Sequence, residues 1–205
     1  TAYATVEELL ANPEIHAVSI CAANFAHAEL TIAALNAGKH VLCEKPMAKT
    51  AADALRMCEA AEATGKKLTI GYQSRYTANS MYAKEFIESG AMGEIYYAKA
   101  HALRGRAVPT WGVFPNKALQ GGGPLIDIAT HSLDLVLYLM DNYKPKYCVG
   151  TTYHKLNDQT ESANVFGQWK PEEFTVEDSA FGFIVMENGA TIILQSSWAL
   201  NTSHS

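Results

Sequence analysis

The sequence predicts an α/β fold joined to an α+β fold. A parallel βαβαβ unit is expected over residues 1–72, followed by a domain with a mainly antiparallel open sheet over residues 73–205. Before residue 72, short runs of β-branched residues alternate with helix-length segments that begin at capping residues. After residue 72, a strongly apolar helix is followed by longer strand-like runs. The chain is 48% hydrophobic and 18% charged, which is the balance of a globular protein.

The first part contains three predicted strands and three predicted helices. The strands are 15–21, 40–43 and 67–70. The helices begin near Thr5, Asn24 and Thr50, because such side chains accept hydrogen bonds from the first backbone amides of a helix. The second and third helices end near Gly38 and Gly65. Strands joined by helices of this length predict a parallel sheet with right-handed crossovers.

The second part has a different pattern. Its predicted elements are a helix over 77–89, a strand over 95–103, a loop over 104–123, an apolar helix over 125–140, and strands over 147–153, 179–186 and 190–198. Asn188-Gly189 separates the last two strands and is typical of a tight hairpin turn. We therefore expect a largely antiparallel sheet here.

The composition argues against several classes of function. Lys and Arg number 16 against 21 Asp and Glu, so the net charge of −5 disfavours a nucleic-acid-binding surface. No apolar run reaches the roughly 18 residues that a membrane span needs. The chain opens with Thr1 and not with an initiator Met, so we expect a fragment or a processed product. It shows no signal-peptide pattern, and we expect it to be located in the cytoplasm.

The cysteines predict neither a metal site nor a disulfide. They are Cys21, Cys43, Cys58 and Cys148. Their wide spacing contains no Cys-x-x-Cys pair, so we expect four buried free thiols in a reducing compartment and no structural metal.

Glu44-Lys45-Pro46 follows the predicted strand 40–43 directly. Ligands of open parallel sheets bind beyond the carboxyl ends of the strands, so Lys45 lies where a ligand is expected. The alternative is an ordinary surface lysine in a loop.

Other residues are expected at the same edge of the sheet. Ala22, Asn24 and His27 follow the first strand, and Gln73 and Arg75 follow the third. Asn24 could instead serve only as a helix cap, and His27 as a first-turn residue. Trp111 is a candidate ring to pack on a ligand, with a role in the core as the alternative.

The apolar helix over 125–140 carries a narrow polar stripe. Its members are Asp127, His131, Asp134 and Tyr138. The stripe lacks the Lys, Glu or Gln of a solvated face, which is the alternative interpretation. Asp127 and His131 are four residues apart, so the carboxylate could orient the imidazole for acid–base chemistry. The preceding Gly121-Gly122-Gly123-Pro124 could hold an anion, or could be a flexible entry with Pro at the first helical position.

Two long segments resemble one known family. Ala-Gly-Lys-His-Val-Leu-Cys-Glu-Lys-Pro (37–46) and Gly-Gly-Gly-Pro-Leu-Ile-Asp-Ile-Ala-Thr-His-Ser-Leu-Asp-Leu (121–135) resemble the Gfo/Idh/MocA oxidoreductases. Glu-Asp-Ser-Ala (177–180), Glu-Asn-Gly-Ala (187–190) and Ser-Ser-Trp-Ala (196–199) resemble strands of that family's second domain. The resemblance implies a Rossmann domain that binds NAD or NADP, and a second domain whose open sheet often forms a homo-oligomer interface.

The resemblance also implies roles for individual residues. Lys45 matches the lysine of the Glu-Lys-Pro motif, which lies between nicotinamide and substrate; Glu44 belongs to the same motif. Asp127 and His131 match the Asp-x-x-x-His pair that faces the nicotinamide. Asn24 and His27 match a loop that the family writes Thr-Pro-Asn-x-x-His, although Ala22-Ala23 replace Thr-Pro here. The family's glycine-rich phosphate loop is not in the sequence, so we expect only the nicotinamide half of the cofactor site and weak cofactor binding.

The expected activity is hydride transfer between a nicotinamide and a sugar, polyol or related hydroxyl compound. His131 would take the hydroxyl proton and Lys45 would stabilise the developing alkoxide, although spacing alone leaves open which of them accepts the proton. Arg75, Tyr76, Trp111 and Tyr153 are possible substrate contacts. The alternatives are a non-catalytic sensor, a Schiff-base lyase that uses Lys45, and an inactive fragment of a dehydrogenase.

Overall fold

The computed structural model describes residues 1–159, 161 and 163–201. The chain folds as two compact units. The first comprises Thr1–Gly71 together with Ala118–Gly121, and the second comprises Tyr72–Lys117 together with the described residues from Gly122 onward.

The first unit is built on a three-stranded parallel sheet. Its elements are α1 (Val6–Ala11), β1 (Ala17–Ile20), α2 (His27–Asn36), β2 (His40–Cys43), α3 (Ala51–Thr64) and β3 (Leu68–Ile70). The strand order is β1-β2-β3, with Ala17 opposite His40 and Val41 opposite Leu68. The βαβαβ prediction is confirmed, with the first strand shorter at both ends.

Helix capping in this unit follows the sequence at two of three predicted sites. Thr5 Oγ1 accepts a hydrogen bond from the Glu8 amide, and Thr50 Oγ1 accepts one from the Asp53 amide at 3.1 Å. Gly65 ends α3 in the left-handed region at φ +64°, as a helix-terminating glycine does. The capping role predicted for Asn24 is wrong. Asn24 begins a short turn of 3₁₀ helix, and its side-chain amide donates to a distant carbonyl instead.

The core of the first unit includes one of the four cysteines. Cys43 is fully buried beside Leu35, Val41 and Met57, and burial raises the pKa of its thiol. All four cysteines are free, but three of them are exposed, so the prediction of four buried thiols is wrong for those three. They are Cys21, Cys58 and Cys148. Cys21 comes after the end of β1, where the chain has left the sheet.

The second unit is built on a four-stranded mixed sheet. Its elements are α4 (Ala78–Glu88), β4 (Tyr97–Leu103), α5 (Lys117–Gln120, whose last three residues belong to the first unit), α6 (Thr130–Met140), β5 (Pro145–Tyr153), β6 (Ser179–Met186) and β7 (Thr191–Ser197). The strand order is β4-β7-β6-β5, in which only the β4–β7 pair is parallel. The mainly antiparallel sheet is therefore confirmed, and the helical turn α5 interrupts the predicted loop.

One face of this sheet is covered by α6. Ala100 of β4 and Ile192 of β7 are fully buried, and Leu133 and Leu137 of α6 pack against them. The predicted hairpin turn is present: the Met186 amide bonds to the Ala190 carbonyl, and Gly189 has φ +90°. Strand β5 forms the edge of the sheet that is farthest from β4, and it is exposed along its whole length.

The predicted helix over 125–140 does not have one uniform geometry. Leu125–Ala129 form a wider π-helical turn, and regular α-helix begins only at Thr130. Such turns often mark functional sites, because they displace one side chain relative to the regular helix. Asp127 lies in the π turn and His131 in the α-helix, so the two residues do not keep the spacing of a regular helix.

Across the described residues, no helix has both the length and the apolar character needed to cross a membrane. The same residues contain no group of three or more potential metal-ligating side chains.

Candidate functional site

The carboxyl edge of the parallel sheet carries the predicted residues of the first unit. The loop after β1 supplies His27, whose ring is fully buried. Its Nδ1 lies 2.8 Å from the Pro46 carbonyl oxygen and its Nε2 lies 3.0 Å from the Ala22 carbonyl oxygen. Neutral imidazole can donate to only one of these carbonyls, whereas imidazolium donates to both. His27 thus ties the loop after β1 to the loop after β2.

Asn24 occupies a buried position in the same loop. Its Nδ2 donates to the Gln120 carbonyl oxygen at 2.9 Å, and Gln120 is itself buried. This bond joins the 118–121 segment to the rest of the first unit. Ala22, by contrast, is exposed.

Glu44 and Lys45 follow β2 and are both half-buried. The Lys45 amide donates to Glu44 Oε2 at 3.3 Å. The Glu44 carboxylate lies against Gly71, where a Cβ atom would come within 3.1 Å of Oε2. The missing side chain at Gly71 therefore leaves room for this carboxylate at the end of β3.

Asp127 is the anchored residue of the second unit. It is 5% exposed, and its Oδ2 accepts a hydrogen bond of 2.9 Å from Trp198 Nε1. Trp198 directly follows β7 and is fully buried. The carboxylate is therefore held by a side chain that lies 71 residues away in the sequence.

The glycine-rich segment before Asp127 is closely packed at Gly122 and Gly123. The Gly123 amide donates to Glu177 Oε1 at 2.8 Å, and a Cβ atom at Gly123 would overlap the Glu177 carbonyl oxygen. The Gly123 carbonyl in turn accepts from the Asp127 amide at 3.0 Å. This close approach of two backbones requires glycine at position 123. The negatively charged group that the Gly123 amide contacts is therefore the carboxylate of Glu177.

His131 lines a cavity of about 390 Å³ in the second unit. The polar residues of the lining are Ser74, His101, Arg104, His131 and Ser132. Ala102, Leu103, Ile128 and Leu135 complete the wall. Tyr72 packs edge-on against the His131 ring, with the ring centroids 6.4 Å apart. The cavity thus combines several hydrogen-bonding groups with an apolar wall, as ligand sites do.

The polar stripe of the apolar helix divides into two parts. Asp127 bonds to Trp198 and His131 lines the cavity. Asp134, by contrast, accepts two hydrogen bonds from the Arg75 guanidinium. This contact raises the pKa of Arg75 above its usual range. The guanidinium also stacks on the Tyr138 ring, 5.1 Å from its centroid. Neither a solvated face nor a continuous cleft lining describes the whole stripe.

The remaining predicted residues lie elsewhere in the second unit. Gln73 and Tyr76 are exposed, Tyr76 to 71%. Trp111 is half-exposed and packs edge-on against Phe166. Tyr153 is at the end of the exposed strand β5. None of these four lines the cavity at His131.

Sequence reasoning missed four residues of this region. They are Trp198, Glu177, His101 and Arg104. His101 lies near the carboxyl end of β4, and that position was the available signal. Trp198 and Glu177 stand in segments that carry the family resemblance, but their spacing from Asp127 gives no hint of contact.

The first unit is thus a parallel sheet with polar residues at its carboxyl edge, which is where nucleotide cofactors bind in α/β folds. The second unit is a mainly antiparallel domain in which Asp127 is buried and His131 lines a cavity. Residues 1–72 match the family model described as "Oxidoreductase family, NAD-binding Rossmann fold", and residues 80–205 match the "GFO/IDH/MocA C-terminal domain". The chain belongs to the GFO/IDH/MocA family.

Similar proteins include several sugar dehydrogenases. D-glucoside 3-dehydrogenase of Escherichia coli K12 is 43% identical over 193 residues, which are 94% of this chain and 54% of that protein. The structure of aldose-aldose oxidoreductase from Caulobacter crescentus in complex with glycerol matches with TM-score 0.80 and 31% identity, over 97% of this chain and 55% of that one. The structure of levoglucosan dehydrogenase in complex with NADH and levoglucosan matches with TM-score 0.81 and 25% identity, over 97% of this chain and 52% of that one. The chain spans about half the length of the curated relatives it matches.

Proposed function

We propose that the protein is a nicotinamide-dependent dehydrogenase that oxidises a hydroxyl group of a sugar, polyol or related compound. The observation that carries the proposal is the arrangement in the second unit: His131 faces a cavity with hydrogen-bonding walls, four residues after a buried and anchored Asp127. The family membership and the sugar dehydrogenases among the relatives support the same reaction class.

The residues of the first unit fit the nicotinamide end of NAD or NADP. The carboxyl edge of the parallel sheet is where such cofactors bind. That edge combines the small exposed Ala22 with the half-buried Glu44 and Lys45, so a flat ring can approach the backbone between hydrogen-bonding groups. Asn24 and His27 fix the loop around it through buried hydrogen bonds. When bound, the oxidised cofactor would accept the hydride.

His131 is the proposed general base. Its position on the cavity wall lets its imidazole take the proton of a bound hydroxyl group while that carbon loses its hydride. Lys45 is proposed to stabilise the developing negative oxygen with its ammonium group, as preorganised donors do in oxyanion sites. Asp127 is proposed to orient His131 or to hold a neighbouring substrate hydroxyl. We propose Gln73, Arg75, Tyr76, Trp111 and Tyr153 as lesser contributors to cofactor or substrate binding.

The cavity favours a substrate rich in hydroxyl groups. Ser74 and Ser132 can donate and accept, and Arg104 supplies further donors. Apolar residues such as Ile128 and Leu135 offer a surface for the C–H face of a sugar ring. This mixture supports a ring-shaped polyhydroxy substrate.

We further propose that the protein is a cytoplasmic homo-oligomer that pairs through its open sheet. Tyr147, Val149 and Phe183 expose large apolar side chains on strands β5 and β6, with the Tyr147 and Phe183 rings 6.5 Å apart. A second copy would bury them. Three exposed free cysteines fit a reducing compartment. Sedimentation of the wild type and of Val149→Lys tests the pairing: a monomeric wild type contradicts it.

The test of the reaction uses the full-length protein with NAD and with NADP. Purified enzyme is incubated with a panel of glucosides, inositols and anhydrosugars, and NADH or NADPH formation is followed by absorbance. We expect reduction with at least one sugar or polyol, and its loss in His131→Ala. Reduction that persists unchanged in that variant would contradict the role of His131, and no reduction with any member of the panel would contradict the reaction class.

A further inference from the structure

Trp198 makes one polar side-chain contact that a purely packing residue does not need. Its indole N–H points at Asp127 Oδ2 across 2.9 Å, and both residues are buried. A buried carboxylate that has lost its water needs donors in return, and an N–H bond to a charged acceptor is among the stronger hydrogen bonds. The contact therefore fixes the position of one carboxylate oxygen.

The indole is itself held on several sides. The Trp198 amide donates to the Asp178 carbonyl, and the Trp198 carbonyl accepts from the Ala107 amide at 2.9 Å. Its ring packs edge-on against Phe174, with the centroids 6.2 Å apart. A donor with this little freedom imposes its own position on the acceptor.

The segment before the neighbouring strand β6 also fixes the backbone of Asp127. Glu177, next to Asp178, accepts the hydrogen bond of the Gly123 amide, and the Gly123 carbonyl accepts that of Asp127. Three separate sequence segments thus converge on one carboxylate: 121–124, 177–180 and 196–199. Asp127 lies in the π turn, outside regular helix geometry. Trp198 holds its side chain, and the Gly123 carbonyl holds its backbone amide.

We propose that Trp198 is a positioning residue for the reaction and acts through Asp127. The proposal rests on the proposed function of Asp127. The indole N–H holds Oδ2 and so restricts the directions in which the carboxylate presents its other oxygen. Removal of this donor weakens the restraint, and the group that the carboxylate orients loses part of its productive geometry.

Trp198→Phe removes the donor and keeps an aromatic ring in the core. Trp169→Phe is the matched control: Trp169 lies in the same core cluster, is 7% exposed, and donates its indole N–H to the Leu156 carbonyl at 3.1 Å. Each substitution removes one indole donor from the same core, but only Trp198→Phe removes a hydrogen bond to Asp127. In the full-length enzyme we expect Trp198→Phe to lower kcat about 10-fold with little change in the KM for the cofactor. Trp169→Phe should lower stability and leave kcat within about twofold.

A double-mutant cycle separates positioning from general damage to the core. In an Asp127→Asn background, Trp198→Phe should cost much less in kcat than in the wild type, because the group through which it acts is already altered. A full 10-fold loss in that background overturns the proposal. If Asp127→Asn itself keeps wild-type turnover, the proposed function of Asp127 fails. If Asp127→Asn loses turnover while Trp198→Phe does not, only the positioning role fails.

A second readout does not depend on activity or on folding of the Trp198 variant. The indole N–H signals in a ¹⁵N-labelled sample are assigned to Trp111 and Trp169 by their Phe variants, which identifies Trp198 among the chain's three tryptophans. Asp127→Asn should shift the Trp198 signal and leave that of Trp169 in place. An unmoved Trp198 signal shows that the hydrogen bond does not exist in solution and overturns the proposal.

Discussion

The two units hold their candidate functional residues by different means. In the first, the buried side chains of Asn24 and His27 bond to backbone carbonyls. In the second, Asp127 bonds to the side chain of Trp198, and its turn rests on a backbone contact that only Gly123 permits. Backbone carbonyls are present whatever the sequence, so the first arrangement depends on one side chain per bond. The second depends on matched residues at two distant positions.

The largest expected effect tests the glycine contact of the second unit. Gly123→Ala should lower the free energy of unfolding by about 3 kcal/mol, because the new Cβ overlaps the Glu177 carbonyl and one backbone must move. Gly122→Ala is the matched control, since its Cβ would meet the Glu177 carboxylate at an ordinary 3.5 Å. Urea unfolding of the three proteins measures the difference. Equal stabilities of Gly123→Ala and Gly122→Ala would show that the second unit does not depend on a close backbone contact at Gly123.

The next-largest effect tests whether the first unit contributes a catalytic group as well as binding residues. Lys45→Ala should lower turnover at least about 100-fold, which corresponds to about 2.7 kcal/mol of barrier. Lys49→Ala, in the same loop, should keep turnover, because the Lys49 ammonium bonds to the Ala118 carbonyl at the surface. Steady-state kinetics of the full-length enzyme compares the two. Near-wild-type turnover in Lys45→Ala would leave the second unit as the sole source of catalytic groups.

A smaller effect tests how the first unit holds its loops. His27→Ala should cost about 2 kcal/mol, because the loops after β1 and β2 lose the buried ring that links the Ala22 and Pro46 carbonyls. His16→Ala is the control, since His16 is exposed and such changes stay within about 0.5 kcal/mol. Thermal unfolding checks both variants. If they unfold at the same temperature, the ring of His27 contributes no net stability.

The smallest effect concerns a thiol beneath the same sheet edge. Burial raises the pKa of Cys43, so its reactive thiolate form is suppressed further at pH 8 than in an ordinary cysteine. A thiol reagent should modify exposed Cys21, Cys58 and Cys148 quickly in the folded chain, and Cys43 only after unfolding. Peptide mass mapping after a short exposure identifies the modified positions. Rapid labelling of Cys43 would show that the core of the first unit opens readily.

Local rules predicted most of the first unit. Thr50 with Asp53 marked the start of a helix and Gly65 its end, because each acts through atoms only a few residues away. The same rules misplaced Asn24, whose hydrogen bond goes to Gln120, 96 residues along the chain. They also treated 125–140 as one helix, whereas the structure has a π turn over Leu125–Ala129 before regular α-helix begins.

The sequence by itself determined the two-part α/β architecture, the strand and helix order, and the identity of Lys45, Asp127 and His131 as candidates, because periodicity, capping and motif spacing are local properties of the chain. Only the tertiary structure decided that Gly123 is a close contact, that Arg75 pairs with Asp134, and that Trp198 reaches Asp127. These are contacts between residues far apart in sequence. They exist because the sheet and the buried core bring distant segments together, and no local pattern records which segments will meet.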